Sequence, residues 1–463
     1  MTNTKKLENH PQYAASVRRW VKSRLAVAGD DAIKTSAEKK KIVPMLIGQQ
    51  DSQYEAMLNR ATYFNATGRT LEGLLGMVFR KPVIASVPQS MQFIIEDMTL
   101  CKDDKESITD FAANLLKEDL TVGRVGVLIE RPNFSTEGMT TAQVERLNLR
   151  PYCSVYPAES IVDWRYDRVN NATQLVMVRL FENVEEWVNE YEREFIAQER
   201  RLLLIDGIYV QRIFRDELQF GGDVVPTMRG KPLDYIPFVC DFYCEKPPLL
   251  DLAELNLSHF RTDVDREHGA HITAVPTPMF AGFQFAEGEV FNLGASGGYS
   301  SVDPQASWGF LEFQGQGLGT LKEIKEEKQD QMAILGARFL AAEKNQVEAT
   351  KTVQIRKSGE TSVLAKISQK RSRSLKRILE IMRDWMGVNG DVSAVLNSDY
   401  TEAGLDPPAL TALVSAWQQG AISEQTLFYN LQHGEMFEDG VTFEDEQARI
   451  SSQGFGAPID QII

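Results

Sequence analysis

Residues 247–269 read PPLLDLAELNLSHFRTDVDREHG. The prolines Pro247 and Pro248 close the strand before them, since proline has no N–H for a ladder, and an amphipathic helix then runs from Leu249 to about Thr273. A second long helix is predicted over Leu318–Leu340, where Leu321, Ile324, Lys328, Met332, Leu335 and Phe339 recur at spacings of three and four with Glu and Lys between them. Between the two, Val275–Gly319 is rich in Gly, Pro and Ser, with short aromatic runs that read as strands. A third helical segment runs from about Thr350 to Met386, interrupted at Ser358-Gly359. Long helices around a loop-rich insert, in a chain that also carries strands, make the fold class α+β, mainly helical.

On the N-terminal side, Pro11 opens a helix with Tyr13, Val17, Trp20 and Val21 on one side, and the charged Gly29–Lys41 interval reads as a loop. Helical patterns follow through Tyr54, Met57, Leu58, Ala61 and Phe64, and through Leu71, Leu74, Leu75 and Val78, until Pro82. Gly68, Gly73 and Gly76 in this stretch read as close helix packing. Ser107 is a good N-cap for a helix that ends near Gly123. Strands are predicted at Val125–Ile129, Tyr152–Tyr156, Ile161–Trp164 and Thr173–Phe181, then an acidic helical piece. Leu202–Arg215 is a hairpin turning at Asp206-Gly207, and Tyr235–Tyr243 is one more strand. Beyond Gly387, Pro407-Pro408 opens a helix and Ser423 caps another.

Composition bounds the function. With 463 residues and 43% hydrophobic side chains the chain can bury a large core, and four cysteines are too few for a disulfide framework. Lys and Arg number 50 against 65 Asp and Glu, a net charge of -15 that repels nucleic acid rather than recruiting it. The polar Met1–His10 stretch reads as neither signal peptide nor anchor, and no apolar run is long enough to span a membrane.

Two catalytic signatures are missing: the sequence has no GxxxxGK[ST] and no HExxH. Cys240, Cys244, His268 and His271 could supply two thiolates and two imidazoles to zinc. The cysteines alternate with Phe238, Phe242 and Tyr243 in a strand pattern, however, and the histidines are closer together than finger spacing. Two small core residues and two helix-surface histidines are the better reading, with no metal. Acid pairs such as Asp263 and Asp265, or Glu326 and Glu327, read as solvated helix faces.

One stretch departs from the acidic average. Lys351–Arg383 carries ten Lys and Arg against Glu360 and Glu380. Lys366, Lys370, Arg373 and Arg377 fall on one helical face as a basic stripe, suited to pairing with acidic groups of a partner subunit more than to phosphate contact.

The phrases SVYPAESIVDW (154–164), PPLLDLAELNLSHFRTDVDREHG (247–269), EKQDQMAILGARFL (327–340), TSVLAKISQKRSRSLKRIL (361–379) and GAISEQTLFYNL (420–431) stand in an order that resembles the portal, or head–tail connector, proteins of tailed bacteriophages. The likeness is to a podovirus-type group and spans about Tyr13 to Ile450. It implies a portal-like protomer: a wing over 1–248, a first stem helix over 249–273, a clip over 274–317 and a second stem helix over 318–340. A channel loop over 341–350, a long wing helix over 351–386 and a crown with the C-terminal region over 387–463 would follow.

The resemblance further implies a homo-oligomeric, dodecameric ring at one capsid vertex of a virion, made in the host cytoplasm. Such a ring serves genome packaging by the large terminase, attachment of the head–tail adaptor protein, and DNA ejection. Its other partners are the major capsid and scaffolding proteins and double-stranded DNA passing without sequence specificity. No cofactor, membrane or catalytic residue is implied. A head–tail adaptor or other virion structural protein is the alternative, and a zinc-dependent enzyme the third reading. A conduit must let DNA slide, so an acidic wall suits it. Glu323, Glu326 and Asp330 are then expected to face the channel or the neighbouring subunit, Lys344 in the channel loop to touch phosphates weakly, and the Lys366, Lys370, Arg373, Arg377 stripe to lie between subunits.

Overall fold

A computed structural model describes residues 8–101, 103–132, 149–169, 171–243, 246–274, 277–284, 301–311, 316–337, 362–398, 400, 407–433, 436 and 441–452. The fold is mixed α and β, and the sheets among the described residues are antiparallel and open.

The N-terminal helices are α1 (Pro11–Ala28), α2 (Asp30–Thr35), α3 (Lys39–Ile42), α4 (Asp51–Arg60) and α5 (Ala66–Val78). The expected loop at Gly29–Lys41 thus contains two short helices. Ile33 and Ile42 pin them by entering a core with Tyr54, Met57 and Leu58. Of the three glycines in α5, a Cβ on Gly68 would meet the Val27 carbonyl at 2.8 Å, so close packing requires it there. Gly73 and Gly76 face open space and need no such account.

Strand β1 (Ile84–Ser86) and the single-turn α6 (Gln92–Ile95) lead to α7 (Ile108–Val122). Ser107 caps α7 as expected, its hydroxyl accepting from the Asp110 N–H, and Gly123 ends it at φ 76°. The helix buries Phe111, Ala112, Leu115, Leu116 and Leu120 completely. They pack on a three-stranded sheet of β2 (Val125–Glu130), β3 (Tyr152–Pro157) and β11 (Phe238–Cys240), with β2 central. A Cβ on Gly126 would lie 2.2 Å from the Phe238 ring, which shows how tightly that sheet closes.

A five-stranded antiparallel meander follows in chain order: β4 (Ile161–Val169), β5 (Ala172–Trp187), β6 (Arg193–Ile205), β7 (Ile208–Arg215) and β8 (Leu218–Val224). The Asp206-Gly207 turn forms as predicted, with φ of 51° and 77°, the pair of positive values a two-residue hairpin demands. The predicted acidic helical piece after Phe181 is instead strand: β5 continues to Trp187 and pairs with β6 from Met177↔Leu203 out to Trp187↔Arg193. Pairing with a neighbouring strand overrides the helix propensity of its glutamates. Tyr235–Tyr243 is likewise corrected, only Phe238–Cys240 being strand. Short β9 (Thr227–Met228) and β10 (Lys231–Pro232) pair in the loop before it.

Then come the long helices. Helix α8 (Leu250–Ala274) begins one residue from its expected start. A hairpin of β12 (Thr277–Ala281) and β13 (Ser307–Leu311) joins it to α9 (Gln316–Ala337). Helix α10 (Val363–Met386) is capped by Ser362 and ends at Gly387, φ 73°. It lays Leu364, Leu375, Ile378, Leu379 and Met382 on the same core as α7. The part of this helix expected upstream of 362, and the interruption at Ser358-Gly359, lie outside the described residues. Strand β14 (Ser393–Val395) returns to pair with β1, Ile84↔Val395 through Ser86↔Ser393. Helices α11 (Pro407–Gln418), α12 (Glu424–His433) and α13 (Phe443–Ser452) complete the chain, with α12 capped by Ser423 as read.

Candidate functional site

Helices α8 and α9 run antiparallel, because partners ascend on one as they descend on the other: Gly269 meets Leu318, Asp263 meets Lys325, and Thr262 meets Lys328. Their inner ends are rooted in the body. Leu249, Leu252 and Met332 join the main core, and Ala253, Leu257, Phe260 and Val264 join the α2–α4 core. Asn256 adds a buried anchor, accepting from the Thr67 N–H at 3.0 Å and donating to the Phe64 carbonyl at 2.8 Å. Beyond Val264 the residues of α8 are half-buried or exposed, and the helix leads toward the β12–β13 hairpin. At about 1.5 Å per residue, α8 is roughly 37 Å long and α9 roughly 33 Å.

The seam between them is polar. Lys325 pairs with Asp263, which Arg266 also reaches at 3.2 Å. Lys328 donates to the Thr262 hydroxyl at 2.7 Å and the Ser258 carbonyl at 3.2 Å, and Gln329 lies 3.2 Å from Nε2 of His259. His259 is fully buried, and among the described residues its Nδ1 has no hydrogen-bond partner. Burial first, then the Lys325 charge, pulls its pKa from 6.5 to about 4, so the ring is neutral near pH 7. Asp263 is thus no solvated carboxylate, as the sequence reading had it, but a buried ion-pair partner. Its signal was Lys328, a cation in the apolar series of α9, which marks a helix face that meets a polar surface.

Facing away from the seam, Glu323, Glu326 and Asp330 are exposed on α9. Among the described residues, Glu326 has Lys322 Nζ at 3.7 Å. These carboxylates, with Glu327 beside them, give the pair an acidic outer surface. At its end, Trp308 and Phe310 on β13 and Met279 on β12 are largely exposed, with Trp308 stacked on Phe280 at 6.5 Å. Lys344 and the whole 341–350 segment lie outside the described residues, as does half of the 274–317 insert.

The basic stripe lies along α10, with Lys366, Lys370, Arg373 and Arg377 exposed on one face. Part of it is used within the chain: Lys370 pairs with Asp241, and Arg377 reaches Glu380 at 3.4 Å and lies 5.8 Å from the Tyr235 ring centre. Sequence reading did not separate these from Arg371, which points inward. Its guanidinium is buried and holds Asp119 of α7, with Nε at 2.7 Å, locking α10 to the body. That contact joins residues 252 apart, which no local pattern displays.

Of the candidate zinc ligands, Cys240 and the histidine pair lie in different neighbourhoods. Cys240 sits beside Arg124, Arg371 and Asp119, its thiol pushed up to about 12 chiefly by burial. His268 and His271 instead line a cleft of about 460 Å³ with Leu46, Ile47 and Arg60, and burial, Arg60 and His271 hold His268 below its ordinary pKa. Cys244 lies outside the described residues. Among those described, no three His, Cys, Asp or Glu side chains are placed to hold a metal ion, and no helix is long and apolar enough to cross a membrane.

A family model described as a domain of unknown function, DUF4055, matches residues 248–386, the span of the helix pair, its hairpin and α10. No curated protein matches the sequence. Among solved structures, the chain is similar at 12% identity to a chain of the virion of a native gene transfer agent particle, with a TM-score of 0.37 over 86% of this chain and 97% of that one. It is similar at 11% identity to a chain of the neck of an empty gene transfer agent particle computed with C6 symmetry, with a TM-score of 0.36 over the same shares.

Proposed function

We propose that this chain is the portal protomer of a tailed-phage-type virion, a subunit of the ring through which the genome is packaged and released. The observation that carries the reading is the antiparallel pair α8–α9, rooted in a packed body, tipped by an exposed aromatic hairpin and acidic along its outer face. In this reading α8 and α9 are the stem, β12–β13 belongs to the clip that meets terminase and adaptor, the body and α10 form the wing, and the residues from 387 onward form the crown.

The mechanism is physical rather than catalytic. A polymer with a charge about every 1.7 Å slides easily only past a wall that offers few cations, since each phosphate captured must be released before the next step. Glu323, Glu326 and Asp330 supply such a wall on α9, and Lys344 a weak contact in the channel loop. In this reading the stripe Lys366, Lys370, Arg373 and Arg377 lies between subunits, where it meets acidic groups of the neighbour.

Electron microscopy of the purified full-length protein tests this directly. Closed rings with a central hole are expected; monomers that keep native circular dichroism and show no hole would overturn it. In a packaging system, reversing the charge of Glu323, Glu326 and Asp330 together should slow DNA entry or stall its exit. Unchanged packaging removes these residues from the conduit.

A further inference from the structure

Two surfaces far apart in sequence are open among the described residues and complement one another. The first is a cleft of about 610 Å³ between α1, α3 and α8. Helix α1 buries Ser16, Trp20, Ser23 and Ala26 against the body, while its more apolar stripe, Val17, Val21 and Leu25, lines the cleft. That stripe repeats every four residues over about 12 Å, two turns of helix. On the rim of the cleft Lys22 pairs with Glu254 at 2.6 Å and Lys41 with Glu38 at 2.7 Å, so Arg18 and Arg261 give it a net positive charge in a chain whose net charge is -15.

The second surface is the tip of the β5–β6 hairpin. Trp187, Val188 and Tyr191 are 63%, 65% and 88% exposed, so the tip packs on almost nothing in its own chain. It is nonetheless ordered, since the Asn189 side chain accepts from the Tyr191 and Glu192 N–H groups and Val188 donates to the Glu192 carbonyl. Residues 185–194 carry five glutamates against Arg193. An aromatic knob ringed by carboxylates thus stands on the same molecule as an apolar cleft whose rim carries the net positive charge of two arginines.

We propose that the β5–β6 tip of one copy seats in the α1–α3–α8 cleft of a second copy, with Trp187, Val188 and Tyr191 against Val17, Val21 and Leu25. The glutamates of the tip then face Arg18 and Arg261. Because knob and cleft are different surfaces, every copy gives one contact and receives one, a head-to-tail arrangement that closes into a ring when the rotation between copies allows. Desolvated aromatic anchors supply the affinity and the charges set the register. This rests on the reading of the chain as a ring subunit.

The test co-expresses two full-length chains, Val21→Cys and Tyr191→Cys, each with exposed Cys101→Ser, and oxidises the purified protein. Disulfide-linked dimers are expected from the mixture and from neither chain alone. In parallel, Glu190→Arg with Glu194→Arg should shift the protein from rings to smaller species in sedimentation, with an unchanged melting temperature. Arg18→Glu with Arg261→Glu on the same chain should restore rings. Rings without the cross-link, and with the glutamate variant still assembling, overturn this contact and leave the ring reading intact. A cross-link between copies that form no ring keeps the contact and removes the ring reading; neither cross-link nor ring removes both.

Discussion

Around α7 the body buries Phe111, Leu115 and Leu116 among other apolar side chains, whereas the seam between α8 and α9 buries His259, Thr262 and Asp263 and meets them with Lys325, Lys328 and Gln329. The two regions solve different problems. Apolar burial is non-directional and supplies most of the stability of a fold. A buried ion pair adds little net stability against an apolar substitute, yet each cation has one position along the facing helix where it is satisfied. The body is therefore built for strength and the helix pair for register.

The largest expected effect comes from the body. Phe111→Ala should cost about 3 to 5 kcal/mol in urea unfolding, the range for deleting a buried aromatic ring. A loss under about 1 kcal/mol would mean that this core is not the one that holds the molecule.

Acid is the next way to separate the regions. His259 has a folded pKa of about 4 against an ordinary 6.5, so between those values the unfolded chain binds a proton that the folded chain excludes. Stability from this group is full above pH 6.5 and falls as pH drops toward 4, by up to about 3 kcal/mol at about 1.4 kcal/mol per pH unit. The charges facing it are Asp263 on its own helix and Lys325 and Lys328 opposite, with Arg266 nearby. Melting curves of the wild type and His259→Gln at pH 7 and pH 4.5 check this, and the variant should lose less. Equal losses would place the acid sensitivity elsewhere.

Breaking the seam itself should matter less. Asp263→Ala strands Lys325, but that lysine keeps partial access to water, so a cost of about 2 kcal/mol is expected. Asp263→Leu with Lys325→Met should recover most of it. If the apolar double variant also retains one well-defined helix register by cysteine cross-linking along α8 and α9, the distinction drawn here between strength and register fails. The smallest effect is at a helix end: Ser107→Ala should cost about 1 kcal/mol, read from the urea midpoint.

What the sequence displays is whatever is decided locally. The caps Ser107, Gly123 and Ser423, the Asp206-Gly207 turn and the start of α8 all depend on a few adjacent residues, and each stands where the pattern puts it. The glutamate-rich run after Phe181 fails the same logic because its strand is set by β6, through pairs such as Glu182↔Gln198. Asp263 and Arg371 fail it because their partners lie 62 and 252 residues away. Lys328 is the instructive middle case. Its place in an apolar series is visible in the sequence, and the surface it meets is not.

The pairing of β1 with β14 has a consequence for how this chain is made. Ile84 cannot find Val395 until the intervening chain has left the ribosome, which at about 5 to 20 residues per second takes roughly 15 to 60 s. Throughout that interval the sheet edge at residues 84–86 is unpaired, and the apolar face that α10 will cover is bare. A nascent chain in this condition is a client for chaperones, and emergence of α10 and β14 is the event that seals the body. Loss of residues 393–395 by premature termination would leave that edge permanently open to other strands.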